Sequence, residues 1–173
     1  AMEKAALTVG SSITSISAGG GLPIAYREGQ QFVDIAAYYK LWDTTRHKLA
    51  NQFGHEITLE IEPGRYLVAE SGNLISEIRS VKTAGENKFY LLDAGFNNLA
   101  RPILYGAYHP MAVCPANGTT EKGMQEVVVG GPLCESGDIF TQEEGGFVSR
   151  RRLPEAKGGD YLIIRCAGAY GYG

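Results

Sequence analysis

The stretch Ile57–Arg65, ITLEIEPGR, constrains this chain more than any other. Ile57, Leu59 and Ile61 alternate with polar residues, the period of a short strand with one buried face. The strand must stop at Glu62-Pro63-Gly64-Arg65. Proline has no amide for a sheet ladder, and glycine permits a sharp exit. An acid and a base are thereby presented together at the carboxyl end of a strand, where α/β proteins bind ligands. On these four residues alone, a Pro-Gly turn with two solvated charges is the simpler reading.

The upstream sequence adds to that reading. Ile13–Ser17 reads as another short strand and runs into Gly19-Gly20-Gly21-Leu22-Pro23. Consecutive glycines at a strand end let backbone N–H groups approach an anion closely. Gln31–Phe53 then carries Phe32, Ile35, Tyr39, Trp42, Leu49 and Phe53 at helical spacings, and Gly54 follows as a stop. Strand, glycine loop, helix and strand make a βαβ unit, which predicts parallel strands with a right-handed crossover. Gly19–Gly21 and Glu62–Arg65 then lie on one face of the sheet. A phosphate beside the glycines with Arg65 nearby is consistent chemistry.

Beyond Arg65 the pattern changes. Tyr66–Ser71 reads as a short helical piece. Strands are predicted at Leu74–Lys82, Lys88–Leu92, Tyr105–Val113, Gln125–Val129 and Asp160–Cys166. Turn signals separate them at Ala84–Asn87, Pro115–Gly123, Glu143–Gly146 and Lys157–Gly159. The predicted architecture is α/β followed by β: residues 1–70 form the βαβ part and residues 71–173 an antiparallel β-sandwich or barrel. A lone βαβ unit cannot close a barrel, and the run Ala167–Gly173 alternates glycine with small and aromatic residues. Both features suit a piece of a longer protein.

Composition excludes several classes. The apolar fraction of 44% predicts a packed core, and a net charge of -3 gives no reason to expect nucleic acid or an anionic membrane. No apolar run approaches the roughly 20 residues that span a bilayer. The three cysteines, Cys114, Cys134 and Cys166, are too few for a disulfide framework and have no zinc-ligand spacing. A reduced, cytoplasmic setting without a metal is expected.

Other polar residues carry two readings each. Arg101 and Tyr105 stand four apart, and an arginine can bind a carboxylate bidentately while a tyrosine adds a hydroxyl. A structural arginine covering a sheet edge fits the spacing equally well. His109 reads as a locally bonded residue. Cys134 and Glu135 sit between glycines, so Cys134 is either a reactive thiol or a small buried hydrophobe. Cys166, ending an apolar strand, reads as inert core. Arg150-Arg151-Arg152 reads as a solvated face.

Six segments occur in a characteristic order: Gly19-Gly20-Gly21-Leu22, Glu62-Pro63-Gly64-Arg65, Arg101-Pro102 with Tyr105, Cys134-Glu135-Ser136-Gly137-Asp138, Gly159-Asp160 and Gly168-Ala169-Tyr170-Gly171. Together they resemble the C-terminal half of the diaminopimelate decarboxylase family, pyridoxal 5'-phosphate enzymes of lysine biosynthesis. The resemblance implies a fold, the last strands of a cofactor-binding (β/α)8 barrel followed by a β domain. It implies that Gly19, Gly20, Gly21 and Tyr170 hold the cofactor phosphate and that Glu62 faces the pyridine nitrogen. Arg65 would contact phosphate or a substrate carboxylate. Arg101 and Tyr105 would bind the distal end of meso-diaminopimelate, and Glu135 would read its distal amino group. Cys134 would return a proton after CO2 leaves. Cys134 and Glu135 would reach into the partner's site, so a homodimer would share its active sites.

The family's Schiff-base lysine lies upstream of anything present. Lys4, Lys40, Lys48, Lys82, Lys88, Lys122 and Lys157 have no matching context. The chain by itself is therefore expected to be inactive. The resemblance extends to ornithine and arginine decarboxylases, and a non-catalytic paralogue acting as a dimerisation module would also lack the lysine.

Overall fold

The computed structural model describes residues 2–119 and 123–172, so Lys122 and the end of the terminal glycine run lie outside the described residues. The chain divides into two compact units. The first runs to Ile24 and resumes at Gln31–Leu67; the second holds Ala25–Gln30 and everything from Val68 onward.

The first unit contains α1 (Met2–Val9), β1 (Ser15–Ser17), α2 (Ile35–Phe53), β2 (Thr58–Glu60) and all but the last residue of α3 (Gly64–Val68). β1 and β2 pair in parallel, with Ile16 beside Leu59. α2 lies between them in sequence, as a βαβ unit requires. It begins later than its periodicity predicts. The Asp34 side chain accepts a hydrogen bond from the Ala37 amide at 2.9 Å and caps the helix, which leaves Phe32 outside it and exposed. Gly54 ends the helix in the left-handed region at φ 76°. The core of this unit is small: Ala6, Ile16, Leu49 and Ile57.

The second unit is a six-stranded sheet. It comprises β3 (Leu74–Ala84), β4 (Asn87–Leu92), β5 (Met111–Cys114), β6 (Met124–Gly130), β7 (Arg151–Pro154) and β8 (Tyr161–Ile164), with α4 (Arg101–Tyr105) between β4 and β5. The spatial order is β5-β8-β3-β4-β6-β7. The end strands β5 and β7 approach one another, so the sheet curls into a nearly closed barrel. β3 and β4 form a hairpin whose two-residue loop starts at Gly85, φ 57°.

The sheet is mixed and not antiparallel as predicted, because β4 and β6 pair in parallel. Four consecutive buried residues in β6, Val127–Gly130, carry the reason: a strand covered on both faces needs a continuous apolar run. The strand predicted at Tyr105–Val113 starts only at Met111. Tyr105 closes α4, and Gly106 terminates that helix at φ 58°. A Cβ on Gly106 would also come within 2.0 Å of the Glu144 amide nitrogen, so no other residue fits there. β7 was missed because Arg151 and Arg152 mask its pattern. Arg150 and Arg152 are exposed, but Arg151 is half-buried, its guanidinium 3.9 Å from the Tyr108 ring centre. Arg27 stacks on the same ring at 4.0 Å and must take the opposite face, since two guanidiniums cannot share one. The core is drawn from every part of the barrel, including Ile78, Tyr90, Val129, Phe140, Leu153 and Leu162.

Candidate cofactor and substrate site

In the first unit the parallel ladder extends past both strand ends. The Ala18 amide donates to Glu60 O at 2.8 Å, and the Glu62 amide donates to Gly19 O at 2.8 Å. The glycine loop and the Glu62–Arg65 turn are thereby zipped together, as the βαβ geometry requires. Ser17 adds a second tie. Its hydroxyl accepts from the Gly19 amide at 3.0 Å and donates to Glu62 Oε1 at 3.4 Å. Gly20 has to be glycine, because a Cβ there would lie 2.9 Å from Glu62 O. Gly19 and Gly21 sit at φ 67° and 92° with open space where a side chain would point. Among the described residues no acceptor faces the Gly20 or Gly21 amide. Arg65 stands in the first turn of α3, half-buried.

The second unit holds the remaining candidates. Arg101 opens α4 and is 8% exposed. Its Nη1 donates to the Tyr26 hydroxyl at 3.1 Å and to His109 Nε2 at 3.0 Å. Nε and Nη2 have no partner among the described residues, and neither is sealed from solvent. Arg101 is thus gripped on one side and open on the other. Tyr105, on the same helix, is 65% exposed, so α4 presents the two residues differently. His109 is fully buried, and its Nδ1 lies 2.9 Å from Arg165 O. Burial pushes its pKa below the usual imidazole value. The Arg165 carbonyl opposes that shift, and the Arg101 charge adds to it.

Cys134 and Glu135 are exposed on a loop built around Asp138. The buried Asp138 carboxylate accepts from the Phe96 amide and from the Leu133 amide, each at 2.8 Å. A Cβ on Gly131 would lie 2.2 Å from that carboxylate, and one on Gly95 2.8 Å from it. The loop packs on α4, where Gly137 leaves room for Ile103. Glu135 Oε1 accepts from the Gly137 amide at 3.1 Å. Tyr170 is exposed at φ 56°. Its segment is pinned on both sides: the Gly168 amide donates to Ala69 O at 3.0 Å, and the Ala100 amide donates to Gly171 O at 2.8 Å. The second bond ties the Tyr170 segment to the residue preceding Arg101.

Cys166 is buried, and its thiol is pushed up by that burial with a contribution from the Glu70 charge, so it is unreactive. Lys40 and Lys48 lie on α2, Lys82 on β3 and Lys88 on β4. Among the described residues no helix is long and apolar enough to cross a membrane, and no group of three or more metal-ligating side chains occurs. Sequence reasoning missed Ser17, Tyr26 and Asp138. Only Asp138 had a signal, an acid enclosed by glycines. Tyr26 had none, because its partner Arg101 lies 75 residues away.

The family described as pyridoxal-dependent decarboxylase, C-terminal sheet domain, matches residues 23–168. The chain belongs to this family. The diaminopimelate decarboxylase of Escherichia coli is 51% identical over 173 residues, covering 99% of this chain and 41% of that protein. A crystal structure of diaminopimelate decarboxylase superposes with a TM-score of 0.96 at 50% identity, covering 98% of this chain and 41% of the other. That of M. jannaschii, in co-complex with L-lysine, gives a TM-score of 0.79 at 32% identity over 92% of this chain and 34% of the other. The chain therefore spans about two fifths of the length of the curated relatives it matches. Within that span, the decarboxylase sheet domain accounts for the barrel of the second unit.

Proposed function

We propose that this chain supplies the C-terminal part of a diaminopimelate decarboxylase, which converts meso-diaminopimelate to L-lysine and CO2 with pyridoxal 5'-phosphate. The observation that carries this reading is 51% identity across 99% of the chain to a protein of that name. The first unit would be the end of the cofactor-binding (β/α)8 barrel. Its residues fit the cofactor: two unpaired amides at Gly20 and Gly21 can receive a phosphate, and a carboxylate is tied beside them.

Bound there, the cofactor would supply an electron sink for the pair left on the substrate carbon when CO2 departs. The chain's own residues do the rest. As the family resemblance implies, Gly19, Gly20 and Gly21 would hold the phosphate, Tyr170 would contribute to the same role, and Glu62 would face the ring nitrogen. Ser17 fixes the Glu62 carboxylate against the loop. Arg65 offers its charge to phosphate or to a substrate carboxylate. Arg101 binds the distal carboxylate through its open Nε and Nη2 edge, Tyr105 adds a hydroxyl, and Glu135 accepts from the distal ammonium. The carbon–carboxylate bond breaks, CO2 departs, and the Cys134 thiol donates a proton to the vacated carbon. The thiolate regains its proton from solvent. Cys134 and Glu135 would serve the partner's site in a homodimer, and without a Schiff-base lysine the chain alone would be inactive.

The test uses the longer enzyme that carries this segment, with pyridoxal 5'-phosphate added. CO2 release is followed from meso-diaminopimelate, ornithine and arginine in parallel. Release from diaminopimelate alone is expected. Release from ornithine or arginine instead would void the role of Glu135, and no release from any of the three would leave a non-catalytic module.

A further inference from the structure

The Arg101–His109 pair carries more than a packing contact. Arg165 O can only accept a hydrogen bond, so the Nδ1 facing it at 2.9 Å must carry a hydrogen. The Arg101 guanidinium can only donate, so the Nε2 facing it at 3.0 Å must present a lone pair. Both neighbours select the same neutral tautomer. Protonation would set an N–H against a guanidinium. His109 is also fixed through its backbone, because the Arg165 amide donates to the carbonyl of the adjoining Pro110 at 2.8 Å. The Tyr26 ring closes over it edge-on at 5.6 Å.

A guanidinium is planar, so two acceptors on Nη1 from separate segments fix the orientation of the whole group. The remaining edge, Nε and Nη2, is the one left open. We infer that His109 is a positioning residue: as an unprotonated Nε2 acceptor it aims the open edge of Arg101 at the distal carboxylate of the substrate. The inference rests on the substrate role proposed above for Arg101.

Steady-state kinetics on the longer enzyme test it through four variants, His109→Leu, His109→Gln, Arg101→Met and the double variant His109→Leu/Arg101→Met. His109→Leu removes the acceptor, whereas glutamine can place Oε1 close to the position of Nε2. Expected is a rise of about tenfold or more in KM for meso-diaminopimelate in His109→Leu, with kcat within about threefold. His109→Gln should recover most of that loss. The leucine change should add nothing in the Arg101→Met background. Equal KM losses with and without Arg101 would overturn the inference, as would no loss at all. If Arg101→Met leaves KM unchanged, the substrate role of Arg101 falls first and the inference falls with it, a result distinct from the other two. A readout that needs no variant is the imidazole 15N chemical shift in the wild-type protein. An acceptor-type Nε2 is expected, and a protonated Nε2 would refute the inference even if His109→Leu failed to fold.

Discussion

The two units solve the same problem, holding a polar site still, with unequal means. The second unit buries Tyr90, Phe140 and a cluster of aliphatic side chains contributed by strands around the barrel. Its site loops hang from buried polar anchors, Asp138 and His109. The hydrophobic cluster of the first unit is only Ala6, Ile16, Leu49 and Ile57 among the described residues, and α2 contributes only Leu49 to it. Its site is held by backbone bonds continuing a two-stranded ladder and by one serine hydroxyl. The contrast teaches that a polar cluster made of backbone amides needs little core, because glycine geometry and ladder bonds define it locally. A cluster made of long side chains needs a dense interior to hold each rotamer.

Three measurements test this difference between the two units. The largest effect is expected in the barrel. Leu162→Ala should destabilise the second unit by about 2–5 kcal/mol, because Leu162 is completely buried in the dense cluster. Residue-resolved hydrogen exchange should show the loss across β3, β4 and β8 together. A loss confined to β8 would mean that the barrel is not one cooperative body. A smaller effect is expected in the first unit. Asp34→Ala removes the cap of α2 and should cost about 1 kcal/mol. Faster exchange should appear at the start of α2, and unchanged rates there would show that the cap bond contributes nothing.

The third effect is the smallest and separates the units by sign. His55, in the first unit, has both ring nitrogens on carbonyls, Glu56 O at 3.0 Å and Ser11 O at 2.8 Å. Two acceptors favour the imidazolium, and the Glu56 and Ser11 carbonyls hold its pKa above the ordinary 6.5. Its contribution to stability is present below pH 6.5 and is lost as pH rises through the folded value. His109, in the second unit, is depressed chiefly by burial. The unfolded chain then takes up a proton that the folded one refuses, so stability falls as pH drops below 6.5. Moving from pH 7.5 to 5.5 should therefore raise protection, taken from exchange rates corrected for their intrinsic pH dependence, in the first unit and lower it in the second. Parallel responses would refute the assignment of the two histidines. His109→Gln should abolish the response of the second unit alone.

Much of the fold was legible because its determinants are short-ranged. The glycine run, the Pro-Gly stop, the Gly54 cap and the Gly85 hairpin each act within a few residues, and the structure shows them where the pattern puts them. Ile57 is buried and Leu59 packs beside it as the alternation puts them, but Ile61 is exposed, and of the apolar stripe read on α2 only Leu49 is buried. Errors arose where two local signals competed. Tyr105–Val113 has strand composition, yet the Pro102 start and Gly106 stop enclose a helix. β7 was hidden because Arg151 stacks on an aromatic ring and does not face water as its exposed neighbours Arg150 and Arg152 do. In the candidate site, the contact of the glycine loop with Glu62 could be argued from topology. The grip of Tyr26 and His109 on Arg101 could not.

Local sequence was enough to locate turns, the stop of α2 at Gly54, and the residue types that stand at the strand ends. Those outcomes depend on backbone sterics, capping bonds and periodicity, all of which operate over a turn or two. Only the tertiary structure decided that β4 and β6 run parallel, that Asp138 anchors the Cys134–Glu135 loop to Phe96, and that Arg101 is gripped on one side and open on the other. Each of these joins residues from distant parts of the chain. Burial decides them by favouring an arrangement in which nearly all enclosed donors find acceptors, Arg151 Nε being an exception among the described residues.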